Sequence, residues 1–204
     1  MDMVYIVENN GVYGLTKGQY SATADVGSKK KKGPANETQP IDLCALAINL
    51  GCTFVARSFS GSKKQLTSIL KAAMSHKGFA LIDVISPCVT FNNNDESMRS
   101  YGYVKENEIT LHMADYIPHF NPMVEIEVPE GHYRDITLHD GSTIRLETIS
   151  DEHDPSNAVA ALTALHEAEA GKKHVTGLLY FDATKPSLAE DLGLVDQALV
   201  DVPD

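Results

Sequence analysis

Met3-Val4-Tyr5-Ile6-Val7-Glu8-Asn9-Asn10-Gly11-Val12-Tyr13-Gly14-Leu15-Thr16-Lys17-Gly18-Gln19 decides how this chain is read. Met3 to Val7 is an unbroken apolar run, the pattern of a strand buried in a parallel sheet. The run is not read as a signal peptide, because it lacks a basic flank and a small-residue cleavage site. The strand ends in two Asn side chains and a Gly. Amide and backbone carbonyl oxygens at a strand's carboxyl end suit a hard cation such as Mg²⁺, which also takes phosphate oxygens and water. Gly11, Gly14 and Gly18 permit close backbone approach, while Thr16 and Lys17 add a hydroxyl and a positive charge. Ligands of open α/β sheets bind outside the carboxyl ends of the strands. The residues therefore fit a diphosphate–Mg²⁺ site, and they fit equally a plain Asn-Asn-Gly turn.

Outward from this stretch, strands and helices alternate. Residues 21 to 39 are small and polar, with Lys29 to Lys32 closed by Gly33-Pro34, and read as a long loop, of a length that is usually functional or mobile. Asp42 to Leu50 reads as a short helix stopped by Gly51, and Thr53 to Ala56 as a strand. In Ser62 to His76, residues Leu66, Ile69, Leu70, Ala73 and Met74 share one helical face. Phe79 to Ile85 is another strand, closed by Ser86-Pro87. This alternation predicts an α/β fold with a parallel sheet. From Asn92 to residue 132 little periodicity remains. Arg134 to Ile149 reads as a hairpin about Asp140-Gly141. A helix follows, capped by Asp154 or Ser156 and running to Glu169, and Val175 to Phe181 is a last strand before an acidic tail. Residues 1–91 are read as the core and 92–204 as an appended α+β extension that wraps a partner.

Composition narrows the function. The 204 residues are 43% hydrophobic and 22% charged, which suits a folded domain and not a disordered chain. No apolar run approaches the length of a membrane span. Lys+Arg 17 against Asp+Glu 28 gives a net charge of −11, the wrong balance for a nucleic-acid binder. Three cysteines argue against a secreted disulfide scaffold, and the eight histidines form no zinc pattern.

Val7 to Thr23 resembles the second half of the thiamine-diphosphate motif in the beta subunit of 2-oxoacid:ferredoxin oxidoreductases, in particular the 2-oxoglutarate type. The resemblance continues through Ala56-Arg57-Ser58-Phe59-Ser60-Gly61 and through Ile82-Asp83-Val84-Ile85-Ser86-Pro87-Cys88-Val89-Thr90-Phe91-Asn92, and more weakly beyond. It implies a thiamine-diphosphate-binding parallel-sheet fold with a C-terminal α+β extension. In that family an Asp of an upstream Gly-Asp-Gly, the Asn side chain and a carbonyl two residues later hold the Mg²⁺ of the cofactor. Asn10 and Val12 then supply two of those ligands. Gly14, Leu15, Thr16 and Gln19 line the cofactor, and Lys17 becomes the catalytic cation that pairs with the distal carboxylate of 2-oxoglutarate. Cys88 becomes the sequence-distant fourth ligand of a 4Fe–4S cluster, whereas Cys44 and Cys52 match no ligand spacing and read as core.

The implied activity is oxidative decarboxylation of 2-oxoglutarate to succinyl-CoA, with electrons passed to ferredoxin. The implied setting is cytoplasmic. An alpha subunit, ferredoxin, the 2-oxoacid and coenzyme A are the implied partners, with Lys29 to Lys32 a candidate dock for an acidic ferredoxin or coenzyme A phosphates. Pyruvate or a branched-chain 2-oxoacid is the alternative substrate, and a truncated, non-catalytic interaction module the alternative role. No Gly-Asp-Gly and no Cys-x-x-Cys occur among the 204 residues, so the resemblance is expected to be to the subunit's C-terminal portion, without three of the cluster's cysteines.

Overall fold

The computed structural model describes residues 2–29, 33–120, 133–148 and 153–195. Lys30 to Lys32, the 121–132 stretch, Ile149 and the tail from 196 lie outside them. The chain opens with β1 (Met3–Asn9), a small hairpin of β2 (Val12–Tyr13) and β3 (Gln19–Tyr20), then α1 (Leu43–Asn49), β4 (Phe54–Phe59), α2 (Lys63–Met74) and β5 (Phe79–Ile85). Then come α3 (Tyr101–Asn107), β6 (Glu108–Thr110), β7 (His112–Ile117), β8 (Tyr133–Thr137), β9 (Thr143–Thr148), α4 (Ala158–Ala170), β10 (His174–Phe181) and α5 (Leu188–Asp191).

Five strands form the main sheet in the order β1-β5-β4-β10-β6. The β1–β5, β5–β4 and β10–β6 ladders are parallel, as the alternation of strands and helices leads one to expect. β10 runs antiparallel to β4, so the sheet is mixed and mostly parallel. β4, β5 and β10 are buried almost throughout, which is why they read as continuous apolar runs. β1 differs from the buried strand expected. With β5 its one partner strand among the described residues, Met3, Tyr5 and Ile6 are exposed. Residues on both sides of position 91 share this sheet, since β10 lies directly against β4.

The two faces are covered separately. α2 and the three-stranded sheet β7-β9-β8 pack on the face carrying Phe54, Ala56, Ile82 and Leu178, with Ile69, Ala72 and Ala73 of α2 completing that core. α1 and α4 cover the other face through Cys44, Ile48, Ala161 and Leu165, against Val55, Leu81 and Leu179. Asp42 caps α1, its Oδ1 accepting from the Ala45 N–H at 2.9 Å. α4 is capped by Asn157, which accepts from Val159 and Ala160. Asp154, one of the two caps expected, is instead turned onto the Ser156 N–H and hydroxyl. α3, β6 and β7 lie where little periodicity was visible, because each is short and only partly buried.

Candidate functional site

Asn9 closes β1 at the carboxyl end of the sheet, and the chain turns at once. Asn10 Oδ1 accepts from the Val12 N–H at 3.0 Å, a side-chain turn that leaves the oxygen's second lone pair open. Gly11 has φ +71°, and a Cβ there would stand 3.1 Å from both Arg99 Cδ and Asn92 Nδ2, so a side chain would be both strained and crowded. Ser21 N–H donates to Gly11 O at 3.1 Å. Antiparallel alternation from that bonded pair turns the Val12 carbonyl away from β3. One turn thus presents an amide oxygen and a main-chain carbonyl, the donor types a hard cation takes.

The other expected residues lie farther out. Gly14, Leu15, Thr16, Lys17 and Gln19 are all exposed on the hairpin, Leu15 by 98%. Thr16 Oγ1 donates to Tyr13 O at 3.2 Å. Lys17 has φ +65°, and with Gly18, Lys29, Thr90, Phe91, Asn94 and Glu96 it lines a pocket of about 220 Å³. Lys29, the described member of the lysine run, pairs with Glu96 at 2.9 Å.

Cys88 sits in the loop after β5, half-buried, and this loop is sewn to the hairpin. Ser86 N–H donates to Asn9 O at 3.2 Å. Asn92 Nδ2 donates to Asn10 O at 2.8 Å, while the Asn92 N–H donates back to Cys88 O at 2.8 Å. The Phe91 ring lies under Gly18, 3.3 Å from where a Cβ would be. The structure therefore ties the loop that carries Cys88 to the Asn10 turn, and leaves Cys44 and Cys52 buried in the α1 core. Burial pushes the Cys44 and Cys52 thiols up, against thiolate formation. Among the described residues no three His, Cys, Asp or Glu side chains converge as a metal cluster.

A buried ionic chain behind the hairpin was not legible as a site. Arg57 Nε donates to Asp83 at 2.8 Å, and its Nη2 to the α1 cap Asp42 at 2.9 Å. Asp83 also accepts from Asn9 Nδ2 at 2.9 Å, and Asn9 Oδ1 accepts from the Thr23 hydroxyl at 2.7 Å. Arg99 adds a second pair with Asp25 and donates to Thr23 O at 2.6 Å. Burial opposes charge on Arg57, yet the neighbouring Asp42 and Asp83 carboxylates hold it firmly protonated. Burial likewise raises the Asp42 carboxyl, but Arg57 and the Ala45 amide outweigh it and leave the value lowered. The chain lines a cavity of about 230 Å³ between α1 and α4 at the strands' carboxyl ends. Its sequence signal is a charge in each of two apolar runs, Arg57 and Asp83, which burial tolerates only as a pair.

Residues 1–84 match the family described as thiamine pyrophosphate enzyme, C-terminal TPP binding domain. Over part of its length the chain is also similar to beta subunits of 2-oxoacid:ferredoxin oxidoreductases. It is 44% identical over 126 residues to the beta subunit from Saccharolobus solfataricus, a stretch covering 61% of this chain and 39% of that one. It is 37% identical over 119 residues to the 2-oxoglutarate synthase subunit KorB of Methanocaldococcus jannaschii, over 56% and 44% of the two chains. Its fold matches the 2-oxoglutarate:ferredoxin oxidoreductase from Magnetococcus marinus, solved with 2-oxoglutarate, coenzyme A and succinyl-CoA bound. The TM-score is 0.64 at 27% identity, over 94% of this chain and 51% of that one. The matched stretches thus take in less than half of each curated relative.

Proposed function

We propose that this chain serves as the thiamine-diphosphate-binding beta subunit of a 2-oxoacid:ferredoxin oxidoreductase that converts 2-oxoglutarate and coenzyme A to succinyl-CoA. The observation that carries the reading is the joining of two loops at the carboxyl ends of adjacent parallel strands. One offers the Asn10 amide and the Val12 carbonyl, and the other offers the Cys88 thiol. Asn10 and Val12 would hold the Mg²⁺ of the cofactor, with Gly14, Leu15, Thr16 and Gln19 along its diphosphate side. When bound, thiamine diphosphate supplies the carbanion chemistry of decarboxylation. Cys88 contributes one thiolate to a 4Fe–4S cluster, whose other ligands come from outside these 204 residues, since Cys44 and Cys52 are buried elsewhere. The chain's own task is to hold the metal-side oxygens and the thiol in one fixed frame.

An alpha subunit and ferredoxin complete the assembly in this reading, and the setting is the cytoplasm. Among the described residues no helix is long and apolar enough to cross a membrane. The relatives named for 2-oxoglutarate, and the 2-oxoglutarate bound in the Magnetococcus marinus enzyme, support that substrate over pyruvate. Lys17 would pair with its distal carboxylate. The test is reduction of ferredoxin by the assembled enzyme, which should require both 2-oxoglutarate and coenzyme A. Lys17→Ala should raise KM for 2-oxoglutarate far more than for pyruvate, whereas equal losses would place Lys17 on the diphosphate. No reduction with any 2-oxoacid would overturn the reading.

A further inference from the structure

Asn92 is 7% exposed, and every polar group of its side chain is committed. Nδ2 donates to Asn10 O at 2.8 Å, and Oδ1 accepts from the Ser97 hydroxyl at 2.7 Å. Its main-chain N–H closes a turn on Cys88 O at 2.8 Å, and its carbonyl takes the same Ser97 hydroxyl at 3.2 Å. Asn92 is therefore the one side chain described that is bonded to the main chain of Asn10 while its own main chain is bonded to that of Cys88. Gly11 supports this bridge by having no Cβ, since one would press on Asn92 Nδ2 at 3.1 Å. Arg99 packs on the same glycine and is anchored by Asp25, which fixes the bridge from its far side.

We infer that Asn92 is a positioning residue that locks the Cys88 loop onto the Asn10–Val12 turn, so that the metal-side oxygens and the thiol keep one separation. This rests on the reading of the site given above. Partners just outside a metal's ligands orient those ligands and set their affinity. A donor on the Asn10 carbonyl orients the peptide that leads from the Asn10 amide to the Val12 carbonyl. Its loss therefore acts on both loops together, which a purely local packing role would not do.

The two halves of the Asn92 amide separate these roles. Asn92→Asp keeps the acceptor for Ser97 and removes the donor to Asn10. Ser97→Ala removes the hydroxyl's bonds to Asn92 and the one it accepts from the Arg99 N–H, and leaves the donor to Asn10 in place. In the assembled holoenzyme, Asn92→Asp should raise the Mg²⁺ concentration needed for half retention of thiamine diphosphate roughly tenfold. It should also change the paramagnetic resonance spectrum of the reduced cluster. Ser97→Ala should stay at the wild-type value in both. Asn92→Ser, smaller and uncharged, should repeat the Asn92→Asp result if the buried carboxylate impairs folding. A wild-type Mg²⁺ requirement in both Asn92 variants overturns the inference, and so does an equal shift in Ser97→Ala. A wild-type enzyme with no Mg²⁺-dependent retention at all would instead overturn the reading of the site.

Discussion

The two faces of the main sheet solve the same burial problem differently. On the α2 face the strands present Phe54, Ala56, Ile82 and Leu178 to Ile69 and Ala72, and the buried polar contacts are neutral, Ser58 to Gln65 and Gln65 to Thr176. On the α1 face the same strands begin apolar, with Val55 and Leu81, and turn ionic at their carboxyl ends, with Arg57 and Asp83. A buried ion pair is no better for stability than apolar packing, because desolvation consumes most of its Coulombic gain. Asn9 bonds this ionic chain to the start of the β2–β3 hairpin, so under the proposed function the α2 face supplies packing and the α1 face positions the hairpin.

The largest expected effect breaks this contrast directly. Arg57→Met leaves the Asp83 carboxylate, 1% exposed, without its partner and should cost about 3–5 kcal/mol in denaturant unfolding. Asp83→Asn added to it should recover much of that loss. A cost near that of a surface pair, under about 1 kcal/mol, would show that the α1 face gains nothing from its charges.

Acid should then take stability from the two faces in different windows. Burial and the nearby His153 lower His112 to about 3, and burial and His139 lower His76 to about 4, so both are neutral in the fold. The unfolded chain binds their protons first, and stability falls as pH drops from about 6.5 towards those values. For His112 the loss between pH 6.5 and pH 5 is about 2 kcal/mol. His112 Nε2 accepts from the Leu178 N–H at 2.8 Å, a bond an amide oxygen can replace, so His112→Gln should flatten the slope. Asp42 loses its contribution in the same direction but in a lower window. Its lowered carboxyl contributes fully above the ordinary carboxylate range and loses its contribution only as pH falls below it. Unfolding free energies across pH 7 to 3 check both, and an unchanged slope in His112→Gln would mean that His112 carries its proton in the fold.

Ile69→Val, beneath the α2 face, should show the smallest effect, about 1 kcal/mol. It should leave Mg²⁺-dependent thiamine diphosphate retention at the wild-type value, whereas Arg57→Met should lower it. Equal retention losses in the two variants would erase the distinction between the faces.

Much of the α2 face is legible in sequence, because local periodicity builds it. Leu66, Ile69, Leu70 and Ala73 recur at helical spacing, and β4, β5 and β10 are continuous apolar runs. The antiparallel setting of β10 is not legible, since a fully buried run looks alike in either direction. Of the candidate site, the Asn10 turn and the Cys88 loop stand out by residue type and resemblance. The bond from Asn92 to Asn10, and the chain from Asp42 through Arg57 and Asp83 to Asn9, join positions 15 to 82 residues apart. No local pattern encodes such pairs. The exposure of Leu15 and Lys17 was equally hidden, because a Gly-bounded hairpin tip and a ligand-clasping loop share one composition.

Under the proposed function Cys88, alone among the three cysteines, serves a cluster held in one frame with the Asn10 turn. The most direct measurement is iron and acid-labile sulfide in the assembled oxidoreductase carrying Cys88→Ser, Cys44→Ser or Cys52→Ser. A hydroxyl is a harder and poorer ligand for cluster iron than a thiolate. Cys88→Ser should therefore give a depleted or labile cluster, with ferredoxin reduction falling much more than decarboxylation, while Cys44→Ser and Cys52→Ser keep full iron. A complete, normally reducible cluster in Cys88→Ser would contradict the claim and leave Cys88 a structural thiol.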